Sequence, residues 1–173
     1  MSGIGKYESQ YRDRRGVCGE PFPEITSFFE SYDEQAARIL DLGCGQGRDA
    51  LMAARHGHFA LGADSSQTGI RQMLEDGEAE GLSLEGLVAD ITKYAIEGSF
   101  DVIILDRVLH MLDEDSRLSV LKQTLRHVSS NGFVLIADLP SHKAALRDVF
   151  YEDSRKWSAE LDKKGFLFMR KDG

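Results

Sequence analysis

Two cysteines in 173 residues, Cys18 and Cys44, are too few for a disulfide framework, and both read as reduced thiols. No apolar run approaches the roughly 18 residues that a membrane span requires, so no membrane partner is expected. The first residues, MSGIGKYESQYRDRRG, are polar and charged and lack the hydrophobic stretch of a signal peptide, which sets the cytoplasm as the expected compartment. Bases are in the minority: 21 Lys and Arg stand against 29 Asp and Glu, a formal charge of -8. Binding a phosphate backbone relies on a Lys/Arg surface and counterion release, so no nucleic-acid partner is expected either. The chain has no internal repeat, no low-complexity tract and no linker beyond its first 24 residues. Its histidines and cysteines are too scattered to suggest a metal site. The remainder, 42% hydrophobic and 29% charged, has a globular composition. Its length suits one domain with one core, as a monomer or homodimer.

The most legible stretch is Arg38 to Ser66, RILDLGCGQGRDALMAARHGHFALGADSS. An apolar run, Ile39 to Leu42, bends through Gly43, Gly45 and Gly47 into a segment of helical period, Gln46 to His56, that stops at Gly57. A second apolar run, Phe59 to Ala63, ends on Asp64. His56 and His58 straddle Gly57 and are expected to face solvent. Upstream, Gly16, Gly19, Pro21 and Pro23 argue against regular structure over 16–23, and a helix is expected from Pro23 to Ala37. Downstream, Ser65 or Ser66 caps a helix from Gln67 to Glu80 that Gly81 closes. Leu84 to Ala89 is a third strand ending at Asp90, and Phe100 to Leu105 a fourth, buried on both faces.

A helix from Asp113 or Glu114 to Val128 and an Asn131-Gly132 turn lead to a fifth strand, Phe133 to Ala137. Pro140 opens a last helix through Tyr151. Residues 157–169 read either as a hairpin, which is preferred, or as an extension of that helix to Lys164. Five strands alternating with helices give a Rossmann-like, doubly wound α/β fold: a mostly parallel sheet, helices on both faces, a C-terminal antiparallel hairpin. Three stretches are expected: an N-terminal segment and helix (1–36) acting as a partial lid, a cofactor-binding core (37–140), and the last helix and hairpin (141–173).

The spacing of the glycines narrows the ligand. A dinucleotide turn is G-x-G-x-x-G, and here Arg48 stands where its third glycine belongs. No Gly-Lys-Ser/Thr follows, which excludes a P-loop. Asp41 puts a carboxylate near the place of a pyrophosphate, a placement that suits an ammonium or sulfonium group better.

The run DLGCGQGRD, Asp64 and Asp90 at strand ends and FDVIILDRVLHML resemble a class I S-adenosylmethionine-dependent methyltransferase of small type 11/12-like form over residues 36–140. The Gly-Arg-Asp after the glycines is similar to tellurite-resistance and thiopurine methyltransferases. The resemblance implies S-adenosylmethionine as cofactor and a seven-stranded sheet with a terminal hairpin. It implies that the backbone of Gly43, Cys44, Gly45 and Gly47 lies against the cofactor, where a Cβ would obstruct it. Asp41 would hold the methionine ammonium, Asp64 both ribose hydroxyls, and Ser65 would flank the adenine. Asp90 would accept from the adenine amine, Ile91 pack on the ring, and Asp106 and Arg107 line the methionine end.

Methyl transfer needs a general base only when the nucleophile carries a proton, and His110 is the candidate base. Tyr7, Tyr11, Arg12 and Asp113 are candidates for lid or acceptor contact, and Arg12, Arg14 and Arg15 favour an anionic group or balance nearby acids. With no long insertion in the core, a small-molecule acceptor is expected, an oxyanion, thiol or other soft nucleophile. A cofactor-binding protein with little turnover and a protein methyltransferase are the alternatives.

Overall fold

The computed structural model describes residues 4–173, with side chains from Tyr7 onward; residues 1–3 of the expected N-terminal segment lie outside the described residues. Two helices come first, α1 (Ile4–Asp13) and α2 (Pro23–Ser31). The core then alternates: β1 (Arg38–Leu42), α3 (Arg48–Arg55), β2 (Phe59–Asp64), α4 (Gln67–Glu80), β3 (Leu84–Val88) and β4 (Phe100–Asp106). It continues with α5 (Glu114–Thr124), β5 (Val128–Ala137), α6 (Lys143–Glu152), β6 (Trp157–Lys163) and β7 (Phe166–Lys171). The strands form one seven-stranded sheet in the order β3-β2-β1-β4-β5-β7-β6. β1 to β5 are parallel, and β7 runs antiparallel to both β5 and β6. This is the expected Rossmann-like α/β architecture with its terminal hairpin. No helix among the described residues is long and apolar enough to cross a membrane.

Strand periodicity divides the core in two. In β1, Leu40 and Leu42 join one apolar cluster with α5 and α6, while Ile39 joins the other with α2, α3 and α4. β5 does the same with Val134 and Ile136 against Leu135, and β7 with Leu167 and Met169 against Phe168. Both faces of the sheet are therefore covered, and the carboxyl ends of its parallel strands are left as the place for a ligand. β1 and β4, neighbours in space, feed helices on opposite faces. The chain switches direction between them.

Several expected boundaries shift. α2 ends at Ser31, not Ala37: Tyr32 leaves the helical conformation, stacks on Phe28, and Ala36 takes a left-handed turn into β1. α5 stops at Thr124 and tightens into a 3-10 turn over Leu125–His127, and Val128 is the first residue of β5, paired with Phe100. The Asn131-Gly132 pair does not reverse the chain. It sits inside β5, with Asn131 left-handed at a register shift against β4. α1 was not expected at all, because its sequence shows no apolar stripe. Ser66, not Ser65, caps α4, its hydroxyl accepting from Gly69 N at 2.9 Å, and Gly81 ends the helix in the left-handed region. The hairpin reading of 157–169 holds. β6 is the outer strand, mostly exposed and charged, which is why its sequence read ambiguously.

Candidate functional site

A cleft opens at the carboxyl ends of β1 to β4. Its floor is the glycine turn, Gly43, Cys44 and Gly45. Asp64 and Ser65 stand on one side, Asp90 and Ile91 beyond them, Asp106 and Arg107 opposite, and Tyr7 and Tyr11 reach in from α1. Eleven residues named from the sequence thus converge on one space. Asp41 and Gly47 lie behind the turn, and Arg12, His110 and Asp113 fall outside the lining.

Asp64, at the tip of β2, is fixed by two backbone amides. Gly45 N donates to Oδ2 at 2.9 Å and Ser66 N to Oδ1 at 2.8 Å. Burial raises its pKa, with these hydrogen bonds opposing the rise. Asp90 is gripped at one oxygen by the Thr92 amide and hydroxyl, which holds its carboxyl below the usual range.

The three glycines of the turn have φ of +75°, +56° and +86°, a region other residues rarely adopt. The protein itself adds a steric reason for glycine here. A Cβ on Gly45 would stand 2.5 Å from Tyr11 Oη, one on Gly43 would strike Val108, and one on Gly47 would strike Met73 of α4. The turn is glycine-rich because protein closes on it from three sides.

Beneath the turn lies a buried charge cluster. Asp41 from β1, Asp49 from α3 and Asp106 from β4 surround the guanidinium of Arg48, which bonds Asp106 and, at 3.0 Å, Asp49. Asp41 Oδ2 accepts from Ala50 N at 3.1 Å. Burial and then the neighbouring carboxylates push Asp41 well above its ordinary pKa, and Asp106 up to about 8. Asp41 and Asp106 are thus driven toward their neutral forms, and a cationic ligand placed beside the cluster would favour their ionised forms. Arg48 also donates to Cys18 O at 3.1 Å and lies over the Phe22 ring.

The N-terminal segment is latched down. Glu8 accepts from Ser66 Oγ and, at 2.5 Å, from Thr68 Oγ1, so these hydroxyls lower its pKa to about 2. Gln72 donates to Tyr11 O at 2.9 Å, and Gln46 Nε2 links Arg14 O to Gln72. Tyr11 itself is buried, its hydroxyl 3.9 Å from Cys18 Sγ.

Residues outside the lining have other duties. Asp113 caps α5 through Ser116 N at 2.8 Å, and Arg12 is an exposed partner of Glu8. His110 sits on a 3-10 turn after β4, its Nδ1 buried and unpartnered, and burial lowers its pKa. His58 does not face solvent. It is buried against Phe29 and Tyr32, with Nδ1 accepting from Ala37 N at 3.3 Å.

A family model described as a methyltransferase domain matches residues 39–132, more than half of the chain. The chain belongs to the class I S-adenosylmethionine-dependent methyltransferases. A probable S-adenosyl-L-methionine-dependent methyltransferase, TehB of Haemophilus influenzae, is 30% identical over 99 residues, 57% of this chain and 35% of that protein. The chain thus spans about a third of that relative. A 2-heptyl-1-hydroxyquinolin-4(1H)-one methyltransferase of Mycobacteroides abscessus is 28% identical over 172 residues, 90% of this chain and 73% of the relative. The crystal structure of a TehB-like protein from Corynebacterium glutamicum superposes with a TM-score of 0.75 over 98% of this chain and 97% of that one, at 21% identity.

The methyltransferase reading accounts for the donor set. Carboxylates stand at the ends of β2, β3 and β4, and Asp106 Oδ1 is buried without a partner. Two features escaped the sequence. The pairing of Arg48 with Asp106 carried no local signal, because the two lie 58 residues apart. Glu8 carried no signal, since its partners Ser66 and Thr68 are about 60 residues away.

Proposed function

We propose that the protein is an enzyme that transfers the methyl group of S-adenosylmethionine to a small-molecule nucleophile. The observation that carries this is Asp64. It is a carboxylate at a strand end, fixed by two amides and placed in the cleft beside the glycine turn. Asp64 would hold the ribose, Asp90 and Ile91 the adenine, and the acidic cluster around Arg48, ionised by the approach of a cation, the methionine end. When bound, the cofactor supplies an electrophilic methyl group and its own leaving group. The chain's part is to orient the reactants and exclude water: Tyr7 and Tyr11 cover one side of the cleft and Val108, Met111 and Leu112 form the other. A small acceptor is supported by the cover that Tyr7 and Tyr11 give this cleft. The name of the Mycobacteroides abscessus relative, a quinolone methyltransferase, points the same way.

Calorimetric titration with S-adenosylmethionine, S-adenosylhomocysteine and NADH tests the cofactor, with binding expected for the first two alone. Release of S-adenosylhomocysteine across a panel of phenols, thiols, hydroxamates and oxyanions tests turnover. Binding without any release would favour a sensor, and methylation of protein substrates alone would overturn the small-molecule assignment.

A further inference from the structure

Two of the three arginines named from the sequence as anion contacts are not free to act as such. Arg12 pairs with Glu8, and Arg15 with Glu75 and Asp76. Among the described arginines, Arg14, Arg107 and Arg126 have side chains with no hydrogen-bonding or ionic partner. Only Arg107 lines the cleft.

Its setting is unusual in three ways. The backbone at Arg107 is left-handed, φ +57°, directly after β4, and Arg107 N is tied to Ala137 O at 2.8 Å. A non-glycine residue is strained there, and such strain gathers where a side chain must be aimed at a ligand. Second, the guanidinium is exposed in a protein with eight more acids than bases. The acids beside it at the sheet's carboxyl end are already engaged: Asp106 holds Arg48, and Asp138 is buried and accepts from Leu139 N at 2.5 Å while pairing with His142 at 2.9 Å. Third, the residues that follow Arg107 are apolar. Val108, Met111 and Leu112 line the same cleft, and Met111 is exposed. A free cation next to an apolar wall is a recognition surface for an acid with an apolar body.

We propose that Arg107 is the specificity-determining cation for the methyl acceptor, and that this acceptor is a small molecule carrying an anionic group beside an apolar body. The proposal rests on the methyltransferase reading for the identity of the bound molecule as acceptor. The cofactor occupies the Asp64 side of the cleft, and the acceptor enters over Arg107, its acid group held by the guanidinium and its body against Met111 and Leu112.

The test is calorimetric, with and without saturating S-adenosylhomocysteine, using benzoate and hexanoate against benzyl alcohol and hexanol. In the wild type at least one acid should bind at least tenfold more tightly than its alcohol. Arg107→Gln should erase that difference, Arg107→Lys retain part of it, and Arg126→Gln leave it intact. Arg107→Gly should also erase it while raising the melting temperature, because glycine relieves the backbone strain. A purely structural residue would not show that opposition. The proposal is overturned if neither acid is preferred, if the preference survives Arg107→Gln, or if that variant instead loses S-adenosylhomocysteine. Failure of S-adenosylhomocysteine to bind the wild type defeats the methyltransferase reading on its own, and the titrations without it still decide whether Arg107 selects acids.

Discussion

The two walls of the cleft differ in how completely they are bonded. On the wall built from the glycine turn, α1 and α4, no buried side-chain polar atom among the described residues lacks a partner. Glu8 accepts from the Ser66 and Thr68 hydroxyls at the start of α4, Gln46 and Gln72 tie the N-terminal segment down, and Asp64 takes two amides. On the wall built from the ends of β4 and β5, polar groups are left open. Asp106 Oδ1 is buried without a partner and Arg107 is exposed without one, and outside the lining His110 Nδ1 and Asp138 Oδ2 are unpartnered too. A buried polar group without a hydrogen bond is costly, so such groups gather where a ligand completes them. The first wall is a finished binding surface for a ligand of fixed shape, which suits a cofactor. The second is unfinished, which suits the variable partner of a reaction.

The sharpest way to break this contrast is at Asp64. Asp64→Ala removes a charged acceptor and frees two amides, and the affinity for S-adenosylhomocysteine is expected to fall by about 10- to 100-fold. Unchanged affinity in a calorimetric titration would remove the finished wall from the cofactor. Gly45→Ala is expected next: the left-handed φ and the clash with Tyr11 Oη should cost about 1–3 kcal/mol of stability in a denaturant titration. Adding Tyr11→Phe removes the atom struck first and should restore part of that loss; strict additivity of the two changes would mean the contact is not the cause.

A smaller effect concerns pH. Asp106 titrates near 8 when folded and near 4 when unfolded, so between those values the folded chain holds the extra proton. Stability should therefore fall as pH rises from about 4 to 8, and Asp106→Asn should flatten that part of the profile. A cationic ligand beside the cluster favours its ionised form, so affinity for S-adenosylmethionine should rise over the same interval. A pH series of melting curves and titrations reads both. Smallest of all is Arg12→Ala. Its pair with Glu8 is solvent-exposed on the arginine side, and the change should stay within about 0.5 kcal/mol. A larger loss would show that the latch depends on more than the hydroxyls of Ser66 and Thr68.

What was legible in the sequence follows from distance along the chain. β1, the glycine turn, α3 and β2 are contiguous, and their periods and stops are written locally, as are the Ser66 cap and Gly81 stop of α4. The strand-end acids could be placed by position alone. The rest depends on residues far apart meeting in space. α1 is held by α4 and not by an apolar stripe of its own, so its sequence looks like a polar loop. The early start of β5 depends on Val128 finding Phe100. The commitment of Asp106 to Arg48, which leaves Arg107 free, needs β1, α3 and β4 to be brought together first.

The order in which β7 joins the sheet bears on how the site is completed during folding. β7 inserts between β5 and β6, and its turn at Gly165 approaches β5 so closely that a Cβ there would strike Asp138 O, while Asp138 N donates to Gly165 O at 2.9 Å. Asp138 is thus held by a contact 27 residues further along, made after the parallel strands are available. A chain emerging from the ribosome has the whole glycine turn and Asp64 long before it has this support. The position of Asp138, and with it the wall beside Arg107, thus depends on the hairpin, whereas the glycine turn and Asp64 make no hydrogen bond with it.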